Sequence, residues 1–281
     1  IELISKFAGG ILSVSAGLSL GREGPSVQIG SYVGCLVSRW THILKGERKQ
    51  LLAAGAGAGL AAAFAAPLAS SLIVIESIER FDAPKTAITT LLAGVVAGVI
   101  ATLVFPVNPY HLIEVSEPAL AFWVQMKYFL ILAVIISIVG KLYAAIMISF
   151  KRVYSAVKSP TSVKMFYLVL VAYIISLMQV NLTGGGEQFL LEQAQNGSTE
   201  MMWVLAVMLL HFGFSVCSVS SGLPGGNFIP TLVTGGLLGR FVGLIAVKYG
   251  IIGQESVTYV MLISMSAFLV AIERTPLTAI V

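Results

Sequence analysis

The chain has 281 residues, of which 57% are hydrophobic and only 11% charged, with a mean hydropathy of +0.93. A soluble domain carries about 25% charged residues, so an ordinary cytosolic enzyme and a disordered chain are excluded. The net charge of +4, from 17 basic and 13 acidic side chains, is too small to coat a nucleic acid. These numbers describe an all-α integral membrane protein whose first partner is the lipid bilayer.

A membrane span needs about 20 mostly apolar residues. Uncharged stretches run 7–21, 24–38, 50–75, 86–113, 165–186, 201–239 and 256–272, and a further apolar stretch, 118–150, holds only Lys127 and Lys141. The first two are too short to cross upright. Pro67 breaks 50–75, and Pro224 with its neighbouring glycines breaks 201–239. Mixed lengths and interrupted runs predict tilted, broken and re-entrant helices. The runs are continuous rather than alternating, which excludes a β-barrel. Trp40, Trp123 and Trp203 fall near span ends, as interfacial anchors do. The chain begins at Ile1 without an initiator Met and stops at Val281 inside an apolar run, so a fragment of a longer membrane protein is expected.

Loop charge sets orientation. Loops 39–50, 79–85 and 151–164 carry Lys and Arg, whereas 106–118 and 179–200 carry Glu114, Glu117, Glu187, Glu192 and Glu200 with no Lys or Arg. The positive-inside rule puts the first three on the cytoplasmic side. Because 39–50 and 79–85 then share a side, 50–78 must enter the membrane and return, turning at Ala66-Pro67. Two cysteines in apolar stretches imply no disulfide framework, and three scattered histidines offer no metal site. No cofactor is expected.

The sequence repeats itself. Gly24-Pro25-Ser26-Val27-Gln28-Ile29-Gly30 through Gly34 aligns with Ile229-Pro230-Thr231-Leu232-Val233-Thr234-Gly235 through Gly239 at an offset of 205. Ala66-Pro67-Leu68-Ala69 aligns with Thr275-Pro276-Leu277-Thr278 at an offset of 209. We divide the chain into 1–110, part of a first membrane repeat, 111–200, connecting helices and the start of the second, and 201–281, the core of the second. Repeats with broken helices are the pattern of transporters that bind ions at mid-membrane between their halves. The pairs Gly30/Gly34, Gly55/Gly59, Gly94/Gly98 and Gly235/Gly239 are spaced for close helix packing.

Two motifs carry chemistry. In Gly21-Arg22-Glu23-Gly24-Pro25, glycines and a proline precede a helical run, so a helix begins deep in the membrane. A helix start presents unpaired amides and about half a positive charge, which suits an anion without supplying a full cation. Glu23 is an intramembrane carboxylate at that start, and such groups mark function. It can act as a tethered anion in the place a mobile one would occupy; the plainer alternative is an ion pair with Arg22. Ser220-Ser221-Gly222-Leu223-Pro224-Gly225-Gly226-Asn227-Phe228-Ile229-Pro230 repeats the logic, with Asn227, Phe228 and Ile229 offering amides at a second start. The repeat alignment sets the two starts against each other.

These two motifs resemble the GREGP and GxFxP signatures of the CLC chloride channels and chloride/proton exchangers. Gly59 to Ala69 and Arg274-Thr275-Pro276-Leu277-Thr278 resemble the same family's two further helix junctions. The resemblance covers the whole chain. It implies an inverted-repeat, CLC-type helical bundle and a homodimer with a separate pore in each subunit. It implies that Glu23 is the gating and proton-transferring glutamate. It also implies that chloride meets the amides of Asn227 and Phe228 at a central site and those of Arg22, Gly24, Phe228 and Ile229 at an outer site. The family's chloride-binding serine segment would precede Ile1 and its later tyrosine would follow Val281. Many exchangers of the family carry two successive glutamates after the APLA-type junction, the second accepting internal protons. Here the pair is Glu76-Ser77. Either proton coupling is lost, or Glu76 or a water chain substitutes; alternatively Glu76 and Glu79 cap a helix end beside Arg80. The expectation is therefore not an enzyme but an anion transporter, read as a chloride/proton antiporter, with a passive chloride channel as the alternative and a non-transporting scaffold or sensor as a more distant one.

Overall fold

The computed structural model describes residues 2–41, 47–79, 84–105, 115–178, 181–197 and 199–281. Apolar composition without alternation leaves the chain one way to satisfy its backbone in lipid, the helix. Among the described residues, twelve α-helices follow in order: α1 Glu2–Ser15, α2 Glu23–Trp40, α3 Arg48–Phe64, α4 Pro67–Val74, α5 Pro84–Val104, α6 Phe122–Ala156, α7 Thr161–Leu177, α8 Glu187–Asn196, α9 Met201–Ser220, α10 Phe228–Lys248, α11 Val257–Glu273 and α12 Pro276–Ile280. A π-turn, Ile75–Glu79, extends α4.

Among the described residues, α5, α6, α9, α10 and α11 with its preceding turn are long and apolar enough to cross a bilayer. The stretch 7–21 is helical only to Ser15, and 118–150 becomes a 35-residue helix that runs on to Ala156. At 1.5 Å per residue α6 is about 52 Å long, well beyond the roughly 30 Å hydrocarbon core, so it must lean or project. The breaks fall where proline demands them. α3 and α4 part at Ala65-Ala66, and α9 and α10 part over 221–227. Of the three tryptophans, Trp40 and Trp123 are exposed at helix ends, whereas Trp203 packs on Phe189.

The repeat is carried in backbone detail. α3 ends at Ala65 in the left-handed region, φ 52°, and α11 ends at Arg274, φ 59°. The next residues match as well, Ala66 at φ −122°, ψ 76° and Thr275 at φ −116°, ψ 74°. Each junction then restarts with proline in the first turn of α4 or α12. Left-handed backbone costs a side-chain-bearing residue about 1–2 kcal/mol, so its recurrence at equivalent places marks a junction whose geometry both halves need.

Glycines let the paired helices touch. A Cβ on Gly30 or Gly34 of α2 would run into the carbonyl of Gly55 or Leu51 of α3, and one on Gly59 into that of Ser26. Gly94 and Gly98 of α5 face Ser71 and Pro67 of α4, and Gly235 and Gly239 of α10 face Ser264 and Phe268 or Met261 of α11. All four sequence pairs thus serve packing within this chain. The core lies where the halves meet, around Leu18, Leu20, Val233, Leu237 and Met261, with a second cluster around Ile136, Tyr143 and Phe268. Outward faces of α5 and α6 stay apolar, with Leu92, Leu103, Leu130 and Ile138 each more than 60% exposed, as lipid contact requires.

Candidate anion site

Both signature loops are tied directly together. The Gly21 amide donates to the Gly226 carbonyl at 2.9 Å, and the Gly226 amide returns a bond to the Gly21 carbonyl at 2.8 Å. The bridge is antiparallel. Gly21 and Gly226 are also equivalent residues at the 205 offset. A residue paired reciprocally with its own equivalent, running the opposite way, is what a pseudo-two-fold axis between the halves produces. Ser13 Oγ, bonded to the Pro224 carbonyl, and Ser19 Oγ, 2.9 Å from Ser215 Oγ, hold the same seam.

Gly24 is required by distance. A Cβ there would lie 2.7 Å from the Gly225 carbonyl oxygen and 2.9 Å from the Gly226 nitrogen. This contact brings α2 and α10 start to start. Glu23 opens α2 and is only 7% exposed. Its Oε1 accepts the Phe228 amide at 2.6 Å, and the amides of Ile229 and of Glu23 itself add their dipoles to the carboxylate. A side-chain anion therefore sits on the first turn of α10, where unpaired amides and the positive helix end are directed.

Arg22 leaves this centre. It is exposed, pairs with Glu187 at 3.3 Å and lies 5.5 Å over the Phe64 ring. The local Glu23–Arg22 pair considered from sequence is thus replaced by an Arg22–Glu187 pair, since adjacent residues on a helix start diverge. Asn227 turns its side chain away from the anion. Its Oδ1 accepts the hydroxyl of Tyr143, a fully buried residue of α6, at 3.0 Å, and Glu273 at the end of α11 lines the same cavity as Asn227. Neither Tyr143 nor Glu273 was anticipated from sequence. Tyr143 lay among many apolar residues, but Glu273, a carboxylate ending an apolar run, was a readable signal.

Two cavities meet at this centre, and Leu60, Ile73 and Phe228 line both. One, of about 300 Å³, takes in Glu23, Gly24, Asn227, Ser77 and Glu273. The other, of about 460 Å³, takes in Phe64, Ile229 and Glu187. Ser77 adjoins the basic 79–85 loop and Glu187 belongs to the acidic 179–200 segment, so by loop charge the first cavity faces the cytoplasm and the second the outside.

Glu76 does not line the cavity that holds Ser77. Its carboxylate accepts the amides of Leu277 and Thr278, at 2.9 and 2.8 Å, and the Thr278 hydroxyl at 2.6 Å. It caps α12. The alternative placing it in a cap beside Arg80 names a residue outside the described ones, and the Glu79 side chain lies outside them as well. Among the described residues, no three His, Cys, Asp or Glu side chains gather as a metal site.

Comparison with known proteins accords with this geometry. The family described as voltage gated chloride channel matches residues 1–281. The H(+)/Cl(-) exchange transporter ClcA of Cronobacter sakazakii is 32% identical over 98% of this chain and 60% of its own length. That of Citrobacter koseri is 33% identical over 98% of this chain and 59% of its own. The chain thus spans about 60% of the curated relatives it matches. The crystal structure of a slow cyanobacterial Cl-/H+ antiporter superposes with a TM-score of 0.85 and 25% identity, covering 99% of this chain and 65% of that one. Matched along its full length and built on two opposed helix starts, this multi-pass membrane chain belongs to the voltage gated chloride channel family, the CLC proteins.

Proposed function

We propose that the intact protein exchanges chloride for protons, and that Glu23 couples the two. The observation that carries this reading is the 2.6 Å bond from the Phe228 amide to the Glu23 carboxylate. A titratable anion occupies an anion site made of helix-start amides. Ionised, it competes with chloride; protonated, it loses its hold on the amides and yields the place. Each swap then carries a proton on Glu23 as chloride takes its position.

Chloride would be held by the amides of Asn227 and Phe228 centrally and of Arg22, Gly24, Phe228 and Ile229 on the outer side. Among the described residues, no Lys or Arg side chain lines either cavity, so chloride can bind and still leave. Chloride is cargo, and no cofactor is invoked. The assembly is a homodimer with a pathway in each subunit. The names of the relatives, an H(+)/Cl(-) exchange transporter and a Cl-/H+ antiporter, support exchange.

The test is flux from liposomes with a chloride gradient, recording chloride and pH together. The wild type should drive protons uphill, and its chloride flux should rise as pH falls and Glu23 takes up protons. Glu23→Gln should abolish proton movement and flatten that pH response. Chloride flux without protons in the wild type would instead indicate a passive channel, the reading favoured by a serine at position 77 in the inner cavity. No flux from folded protein would remove transport altogether.

A further inference from the structure

Exchange, as proposed above, needs protons to reach Glu23 from the cytoplasmic side as well as the outer one. The inner cavity is the way in. A proton crossing it from Ser77 meets a hydroxyl, which does not titrate near neutral pH. Glu76 is committed to the first turn of α12. Among the described residues, one carboxyl group besides Glu23 lines this cavity, and it is Glu273.

Glu273 is the last residue of α11, beside the left-handed Arg274. At the 209 offset it is the counterpart of Phe64, the last residue of α3. The pseudo-two-fold sends these counterparts to opposite cavities, Phe64 to the outer and Glu273 to the inner. Their partners correspond too. Phe64 lies under Arg22, and Glu273 shares its cavity with Asn227, the equivalent of Arg22 at the 205 offset. The slot that one half fills with an aromatic ring is filled in the other by an acid. Glu273 is half-buried, and a carboxylate that closes a candidate span and lines a cavity with Glu23 marks function by default.

Among the described residues, Glu23 of α2, Asn227 at the start of α10 and Ser77 share this cavity with Glu273. The Tyr143 hydroxyl of α6 reaches Asn227 at 3.0 Å, and Arg274, next in the chain, is exposed. Two carboxyl groups that line one cavity of about 300 Å³ are placed to hand a proton across it.

We propose that Glu273 is the inner proton carrier of the exchange cycle, passing protons between the cytoplasmic side and Glu23 through the cavity both residues line. In the inward-to-outward step the O–H bond of the Glu273 carboxyl breaks and one forms on Glu23, leaving Glu273 ionised to take the next proton from the cytoplasmic side; in reverse, the proton returns to Glu273. Asn227 lines the cavity between the two acids.

The test uses the intact transporter in liposomes under a chloride gradient, comparing wild type, Glu273→Gln and Glu273→Asp. Glu273→Gln should still pass chloride but lose roughly a hundredfold or more of its proton movement, the scale of a positioned proton-transfer group. Glu273→Asp should keep measurable coupling. A Glu273→Gln variant with the wild-type proton-to-chloride ratio overturns the proposal while leaving exchange through Glu23 standing. Loss of both fluxes in equal proportion also overturns it, because that is the signature of a side chain that only supports Asn227. Absence of proton movement in the wild type overturns both this proposal and the exchange reading.

Discussion

At the residue scale, the site is made by groups too small to resist one another. Gly21, Gly24, Gly225 and Gly226 let two chain segments approach until backbone meets backbone and one carboxylate meets the facing amides. Gly24→Ala should therefore cost about 1–3 kcal/mol of stability through overpacking, read as a lower melting temperature in detergent. It should also weaken chloride binding by spreading the two helix starts apart. An unchanged melting curve would mean that the seam is looser than its hydrogen bonds indicate. Glu23 was legible in sequence because a carboxylate at a helix start inside apolar surroundings has few roles. The direction of Asn227 was not, since its backbone and side chain serve different partners and only packing decides which faces the anion.

At the element scale, the short pieces matter as much as the spans. α12 begins at Pro276, just after the left-handed Arg274 and Thr275. Three donors of its first turn are taken by Glu76, which arrives at the end of α4, the equivalent element of the other half. The two halves therefore brace each other at this second contact as well as at the Gly21–Gly226 bridge. Removing the cap with Glu76→Ala should destabilise the fold by about 0.5–2 kcal/mol, the scale of a lost side-chain cap on a helix start. A thermal melt measures this. Since Glu76 lies outside the inner cavity, the proton-to-chloride ratio should hold in the same variant. The helix breaks themselves followed from Pro67, Pro224 and Pro276, but the capping partner is about 200 residues away and no local pattern announces it.

At the scale of the whole molecule, two halves related by a pseudo-two-fold axis converge on one point, where a carboxylate of one half meets an amide of the other. Any ion bound at that point should hold the halves together. With Glu23 in place, its own carboxylate serves as this ion. The variant Glu23→Ala should consequently gain more melting temperature from added chloride than the wild type does, approaching about 2.7 kcal/mol at a concentration one hundred times the dissociation constant. Equal chloride protection of the two proteins would argue that the side chain and the mobile ion use separate places.

Composition, run length and proline position determined the helical membrane class, the breaks and the repeat, because each depends on local chemistry: apolar surface must face lipid, backbone must be satisfied within the segment, and proline cannot continue a helix. The four glycine pairs were likewise legible as packing contacts. Only the tertiary structure decided which groups share a cavity. It sent Arg22 outward to Glu187, gave Glu76 to α12, brought Tyr143 to Asn227 and set Glu273 in the cavity of Glu23. These pairings join residues far apart in the chain, and the two-fold arrangement that makes Phe64 and Glu273 counterparts exists only once the halves have packed against each other.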